Sequence, residues 1–425
     1  MSLISGIIIT RLIGPEGKGI YAIFIANTEL LSLFLGLSAN AGIIYFIANR
    51  KIPEKKIIGL TILTFISSLF FGSMVIFIPF QQEELLFPQN FDSFIFKLYL
   101  FLCFLFNITN TLFSGIFEGH KKYGIINKIG IFNALFSLII FGLLALTKSM
   151  YFFESILLNV LFYTLIIFSI NTLMWLFYYI KNIKTTPSFK LSFKKEITVF
   201  FNYIGLGYVS EVLNFFNYRL DIWFINTHHG LEELGYYSLA VNVSKFLLMI
   251  SKTTASVLYP YLSAERDRIK KFNLVALISR INTFLLTFGL IIMLILGKYL
   301  IPLVYGDEFT ASVSAFRIIL FATLFTGLTK TFATYLASEN KIKFNLYATI
   351  VGLSITIIFN ILLIPKYGII GAAYTSLMAY FSIFAVVYYV SIKLNNQLSL
   401  NCFIITKNDI LKLQSIYYEK FRKLS

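Results

Sequence analysis

The stretch GPEGKGIYAIFIANTELL, from Gly14 to Leu31, lies without a gap on GLEELGYYSLAVNVSKFL, from Gly230 to Leu247. Gly14 meets Gly230, Glu16 meets Glu232, Gly19 meets Gly235 and Tyr21 meets Tyr237. The register carries on through Tyr45 with Tyr261, Ala48 with Ala264 and Arg50 with Arg266. The glycine, tyrosine and acidic matches fall outside the greasiest residues, so they read as an internal repeat rather than chance likeness among apolar helices. A fainter echo pairs FEGHKKYGIIN (Phe117 to Asn127) with SENKIKFNLYA (Ser338 to Ala348).

Around this repeat the chain is a series of twelve apolar runs, at roughly 2 to 13, 19 to 48, 57 to 80, 94 to 117, 123 to 147, 153 to 180, 197 to 226, 235 to 263, 272 to 304, 311 to 336, 343 to 364 and 368 to 394. Eleven are long enough to cross about 30 Å of hydrocarbon, which takes on the order of 20 helical residues. The first, ending at Gly14-Pro15, covers about half that thickness; either the start is truncated or its neighbours hold it. With 58% hydrophobic and 18% aromatic residues and a mean hydropathy of +0.79, the chain is too apolar for a soluble domain. The fold class expected is an all-α polytopic membrane protein of about twelve transmembrane helices. Six helices separate the two copies, so both run the same way, as parallel repeats related by an axis along the membrane normal with a substrate path between them. The organisation expected is an N-terminal six-helix lobe (1–180), a basic cytoplasmic linker (181–196), a C-terminal six-helix lobe (197–394) and a basic tail (395–425). In that tail Ile410, Leu413, Tyr417, Phe421 and Leu424 have amphipathic helical spacing. The eight prolines fall in connectors or near helix ends, which predicts mostly unbroken helices.

The connectors alternate in charge. One set carries Arg50, Lys51, Lys55 and Lys56, then Lys121 and Lys122, the lysines of the linker, Arg266 to Lys271, Lys341 and Lys343, and the tail. The other is acidic or nearly uncharged, with Glu83, Glu84, Asp92, Glu232, Glu233, Asp307 and Glu308. Lys and Arg of short loops stay on the cytoplasmic side, so both termini are expected there. Topology thus accounts for the net charge of +16 better than nucleic-acid binding does. Cys103 and Cys402 cannot make a disulfide framework. His120, His228 and His229 lack the companions of a zinc site or a catalytic triad, and the last two are expected to cap the seventh helix. A membrane glycan polymerase or ligase would also need an outer loop larger than the longest here, Gln81 to Ser93. No enzyme, metal or cofactor is therefore expected.

Ionisable residues inside a bilayer cost about 2.5 to 3.5 kcal/mol each at a helix centre, so they mark function. Arg219, Lys245, Lys252, Arg280, Arg317 and Lys330 lie within spans of the second half, against Glu211 and Asp221 there and Glu29 in the first. Lys245 and Lys252 are two turns apart on one face, as are Glu211 and Tyr218. The cavity candidates are Lys245, Lys252, Arg219, Glu211, Arg317, Lys330 and Tyr218. Their cations suit an anionic head group. Set against this, Arg280, Lys330 and Lys128 can snorkel to the cytoplasmic interface and Arg317 to the outer one, and Arg219 with Asp221 can form a local ion pair. Glu29 and Lys245 are equivalent in the repeat and are expected to pair across the cavity. Glu29, Asp221 and Glu211 are candidates for coupling to H⁺ or Na⁺. Tyr208, Tyr218 and Tyr237 are candidates to line a sugar path.

LIGPEGKGIYAI (Leu12 to Ile23), FNYRLDIWFIN (Phe216 to Asn226) with GYYSLA (Gly235 to Ala240), VLYPYLSA (Val257 to Ala264) and LLIPKYGIIGAAYTS (Leu362 to Ser376) resemble the oligosaccharide-lipid flippases of the polysaccharide-biosynthesis (Wzx-type) family. That family lies in the multidrug/oligosaccharidyl-lipid/polysaccharide (MOP) exporter superfamily. The resemblance implies two six-helix, MATE-like lobes around a central cavity. It implies movement of undecaprenyl-pyrophosphate-linked oligosaccharide to the outer leaflet of the bacterial inner membrane, for O-antigen, capsule or exopolysaccharide, by alternating access. A polysaccharide polymerase and glycosyltransferases are the implied partners beside the bilayer. The shortened first helix departs from the pattern, and the thirteenth and fourteenth helices of some members are not expected here. A lipid II flippase or a cation-coupled drug exporter of the same superfamily is the alternative; the excess of Lys and Arg argues against a cationic drug.

Overall fold

The computed structural model describes residues 3–78, 94–147, 151–190, 196–394, 402–406 and 409. The outer loop Gln81 to Ser93 and the apolar stripe of the tail from Ile410 onward lie outside them. Among the described residues there is no strand. The helices are α1 (Leu3–Gly36), α2 (Ala39–Asn49), α3 (Glu54–Phe77), α4 (Phe94–Gly119), α5 (Tyr123–Leu146), α6 (Ile156–Asn182), α7 (Thr198–Ser244), α8 (Leu248–Ala264), α9 (Arg268–Tyr305), α10 (Ser312–Ser338) and α11 (Ile342–Leu394). Eight helices are long and apolar enough to cross a membrane, nine with the bent pair α7–α8.

This tally falls below twelve because three helices run through expected connectors. Non-helical glycines divide α1 at Gly14 (φ 65°), α7 at Gly230 (φ 83°) and α11 at Gly368 (φ 54°). Counting each arm, with α2 prolonging the second arm of α1 and α8 that of α7, recovers the twelve runs. The expectation of unbroken helices needs correcting. Pro15, Pro260, Pro302 and Pro365 sit inside helices. The interruptions fall instead at these glycines, at Leu37–Ser38, both left-handed, and between Ser244 and Leu248. Neighbouring helices can satisfy the backbone groups that a proline frees in a membrane.

By backbone proximity the chain forms two compact units, Met1–Gly235 with Val304–Glu308, and Tyr236–Leu303 with Phe309–Ser425. In the first, the two copies of the repeat meet. A Cβ at Gly19 would overlap the Leu231 carbonyl, and a Cβ at Gly235 would overlap the Pro15 carbonyl. Pro15 and Leu231 are equivalent under the repeat, so the contact is reciprocal: each copy presents the same glycine to the same backbone oxygen of the other. Behind it lies an aromatic core in which Phe24 meets Tyr99 edge-on at 5.3 Å and Phe46 stacks on Phe200 at 5.7 Å. Gly42 lets α2 press against Phe200 and Ile204 of α7. The linker is tied to the start of α3. Thr185 donates to Glu54 at 2.6 Å, the Ser188 amide to the Lys55 carbonyl at 2.8 Å, and Lys56 pairs with Glu196 at 2.6 Å.

In the second unit the described tail residues, 402–406 and 409, reach α9. Arg280 of α9 pairs with Asp409 at 2.7 Å, so it does not merely snorkel. Burial would raise the Asp409 pKa, but hydrogen bonds from Arg280 and from the Thr406 hydroxyl and amide outweigh it and bring it down to about 2. A depressed carboxylate contributes stability above its unfolded pKa near 3.8 that is lost as pH falls through about 2. Protection of residues 402–406 from hydrogen exchange is therefore expected to hold from pH 8 to about pH 4, and to be lost in Asp409→Asn at every pH.

Candidate functional site

Two polar clusters stand in otherwise apolar helices. The first joins the second arm of α1 and the start of α2 to the first arm of α7. Arg219 pairs with Glu29 at 2.8 Å, Trp223 Nε1 donates to Asn27 Oδ1 at 3.0 Å, and Ser38 Oγ donates to the Glu211 carboxylate. Helical phase explains why α7 can do this, since Glu211, Arg219 and Trp223 lie at spacings of about two turns and one turn. Glu29 thus takes Arg219 as partner, and Arg219 takes Glu29 rather than its neighbour Asp221, which is buried. Tyr218 is exposed, as is Lys245 in the second unit. Glu29→Gln would leave Arg219 without its charge partner. We expect a loss of about 1–3 kcal/mol in stability, partly recovered in Glu29→Gln/Arg219→Gln, read by melting temperature in detergent.

The second cluster lies within the second unit, where α8, α9 and α10 are knotted at one point. Ser251 Oγ donates to Asn282 Oδ1 at 3.1 Å, and Asn282 Nδ2 donates to the Gly327 carbonyl at 3.3 Å and to Thr331 Oγ1 at 3.1 Å. All four residues are buried. Gly327 carries no side chain, so α10 closes directly on Ser251 of α8. The residues next in sequence to this knot are Lys252 and Lys330, and they lie within electrostatic reach of one another. Lys330 is half-buried and Lys252 exposed. Among the described residues neither has a carboxylate within ion-pair distance. Lys330 stands eight residues, about 12 Å of helix, before the end of α10. Two cations that adjoin one buried hydrogen-bonded knot, with no carboxylate at ion-pair distance, can attract an anion that offers several oxygens.

Of the other sequence candidates, Arg317 is exposed near the start of α10. Tyr237 belongs to the core rather than to a sugar path: it is 1% exposed and its hydroxyl lies 3.2 Å from Ser376 Oγ. His228 stands two residues before the Gly230 break, in the last turn of the first arm of α7, and its Nδ1 bonds to the Phe224 carbonyl at 2.9 Å, as expected of a residue near that helix end. Among the described residues no group of three or more His, Cys, Asp or Glu is arranged to hold a metal ion. Sequence reasoning missed Asn282, whose buried amide connects three helices; a lone asparagine in an apolar run was the available signal.

Comparison with known proteins places this geometry. The chain is 23% identical over 296 residues to a probable low-salt glycan biosynthesis flippase of Haloferax volcanii, covering 67% of this chain but only 58% of that one. It is 24% identical over 376 residues to a putative O-antigen transporter of Shigella flexneri, covering 86% of this chain and 87% of that one. Among solved structures, a lipid II flippase, MurJ, in an inward closed conformation aligns with a TM-score of 0.62 at 15% identity, over 98% of this chain and 90% of that one. An inward-facing multidrug-resistance MATE transporter of the MOP superfamily aligns with a TM-score of 0.61 at 12% identity, over 94% and 96%. The fold is thus that of the MOP transporters, multi-pass in a membrane. The polysaccharide biosynthesis protein family matches residues 1–266, more than half of the sequence, and the chain belongs to that family.

Proposed function

We propose that this protein is a flippase that carries prenyl-pyrophosphate-linked oligosaccharide from the cytoplasmic to the outer leaflet of the inner membrane for surface polysaccharide synthesis, by alternating access. The observation that carries this reading is that Lys252 and Lys330 adjoin the buried Ser251–Asn282–Thr331 knot within membrane helices, with no carboxylate at ion-pair distance among the described residues. Two ammonium groups within membrane helices cost about 5–7 kcal/mol to insert. Such groups almost always face a bundle interior or a water-filled cavity, so the exposure of Lys252 is best read as exposure to water. A pyrophosphate offers the several oxygens that the two ammonium groups can share, while its prenyl chain stays in lipid. Basic connectors put both termini in the cytoplasm. Glu29, Glu211 and Asp221 are the carboxylates through which an H⁺ or Na⁺ gradient would drive the cycle. The protein is a transporter rather than an enzyme.

The test is deletion of the gene followed by lipid extraction. Build-up of a prenyl-pyrophosphate oligosaccharide on the cytoplasmic leaflet is expected, and its sugars name the cargo. Build-up of a peptidoglycan precursor would instead favour lipid II. Altered drug sensitivity with no build-up would favour an exporter.

A further inference from the structure

Between α2, α4 and α6 of the first unit lies a pocket of about 370 Å³ that the charged residues do not explain. On α4, Asn107, Asn110 and Ser114 recur at the spacing of one helical face, with Thr111 beside them. Asn40 on α2 and Asn171 on α6 face the same space, and Phe168 and Trp175 add rings to it. An amide taken from water into an apolar medium without a partner costs about 2–7 kcal/mol, depending on the reference state. Four in one place demand a reason.

They are not used to hold the helices together. Asn110 accepts a bond from Thr172 Oγ1 at 3.1 Å, but among the described residues the side chains of Asn40, Asn107 and Asn171 make no hydrogen bond within the chain. The Oδ1 atoms of Asn40 and Asn171 are buried without a partner. Gly115 lies flat against the Asn40 amide, which is therefore held in place by packing alone.

The lining is neutral, so it selects neither an anion nor a cation, and it is too polar for an alkyl chain. Amides that both donate and accept match hydroxyl groups that do the same. The half-buried Phe168 ring can pack against an apolar C–H face. We infer that this pocket binds a neutral sugar ring of the transported glycan. The inference rests on the flippase reading above. At the small end of ligand pockets, which run about 300–1,000 Å³, it suits one or two sugars rather than a whole oligosaccharide.

The test uses the purified full chain in detergent, with two probes followed by ligand-dependent melting: the prenyl-pyrophosphate glycan extracted from the host, and prenyl pyrophosphate without sugar. Wild type is expected to bind the glycan lipid at least tenfold more tightly than the bare one. Asn107→Ala/Asn171→Ala is expected to bind both alike, at the affinity of the bare lipid, with an unliganded melting temperature no lower than that of wild type. Asn107→Ser/Asn171→Ser is measured in its place if the alanine form does not fold. Lys252→Ala should weaken both probes equally and keep the preference. A tenfold preference that survives in the asparagine variant overturns the sugar site alone. Failure of wild type to bind either lipid overturns the flippase reading, and the pocket assignment with it.

Discussion

Replacing Lys252 and Lys330 together with alanine is expected to lower export of the lipid-linked glycan by at least a hundredfold, with the protein still present in the membrane at its normal level. A hydrogen bond to a charged group contributes about 1.5–3 kcal/mol, so losing two removes about 3–6 kcal/mol of cargo binding, or two to four powers of ten. Insertion cannot account for such a loss, because removing two intramembrane cations makes insertion easier. Either single variant should fall by about ten- to a hundredfold. The double arginine variant should retain part of the activity, since charge is kept while the ammonium point contact is not. Surface polysaccharide per unit of membrane protein, measured in a strain lacking the gene, gives the answer. Unchanged export in the double alanine variant would remove the cation pair from the mechanism.

The second large effect is structural. Gly19→Ala and Gly235→Ala each put a methyl group into a carbonyl of the opposite repeat copy. Overpacking costs about 1–3 kcal/mol where side chains can yield, and here the obstacle is backbone, so about 3 kcal/mol or more is expected for each. Because the contact is reciprocal, the double variant should cost less than the sum, one separation of the helices relieving both clashes. Gly205→Ala and Gly207→Ala, with nothing within 4 Å, serve as controls; a helix favours Ala over Gly by up to about 1 kcal/mol, so neither should destabilise. Melting temperatures in detergent separate the two pairs. Equal tolerance at all four glycines would show that the repeat copies do not meet.

Much of this fold was legible in the sequence because membrane helices announce themselves by composition, and because the repeat preserved glycines at Gly14, Gly19, Gly230 and Gly235. Their meaning was only half readable. The spacing identified Gly14 and Gly230 as equivalent, but looked like loops where the structure continues as kinked helix. The prolines misled in the opposite direction, since the rule that proline ends a helix assumes water outside the helix and no neighbours to make up the lost bond.

The site was legible residue by residue but not in its pairings. Periodicity tells which residues share a face of one helix, and so grouped Glu211 with Tyr218. It does not tell which neighbour that face meets, and so gave no hint that Arg219 would reach Glu29 or that Asp409 would reach Arg280. Lys252 and Lys330 were both candidates, yet the knot of Ser251, Asn282 and Thr331 that they adjoin appears only when α8, α9 and α10 are packed. The asparagines of α4 and α6 went unread because a search for intramembrane charge passes over neutral amides.

In the proposed mechanism, cations on α8 and α10 hold the pyrophosphate of a lipid-linked glycan during transfer between leaflets. Its most direct test is transfer by the purified protein in liposomes, with the extracted glycan lipid in one leaflet and its arrival in the other detected by a membrane-impermeant lectin. Transfer by wild type is expected, reduced at least a hundredfold in Lys252→Ala/Lys330→Ala. Transfer by that variant at the wild-type rate, or no transfer by wild type under an imposed H⁺ or Na⁺ gradient, would contradict that mechanism.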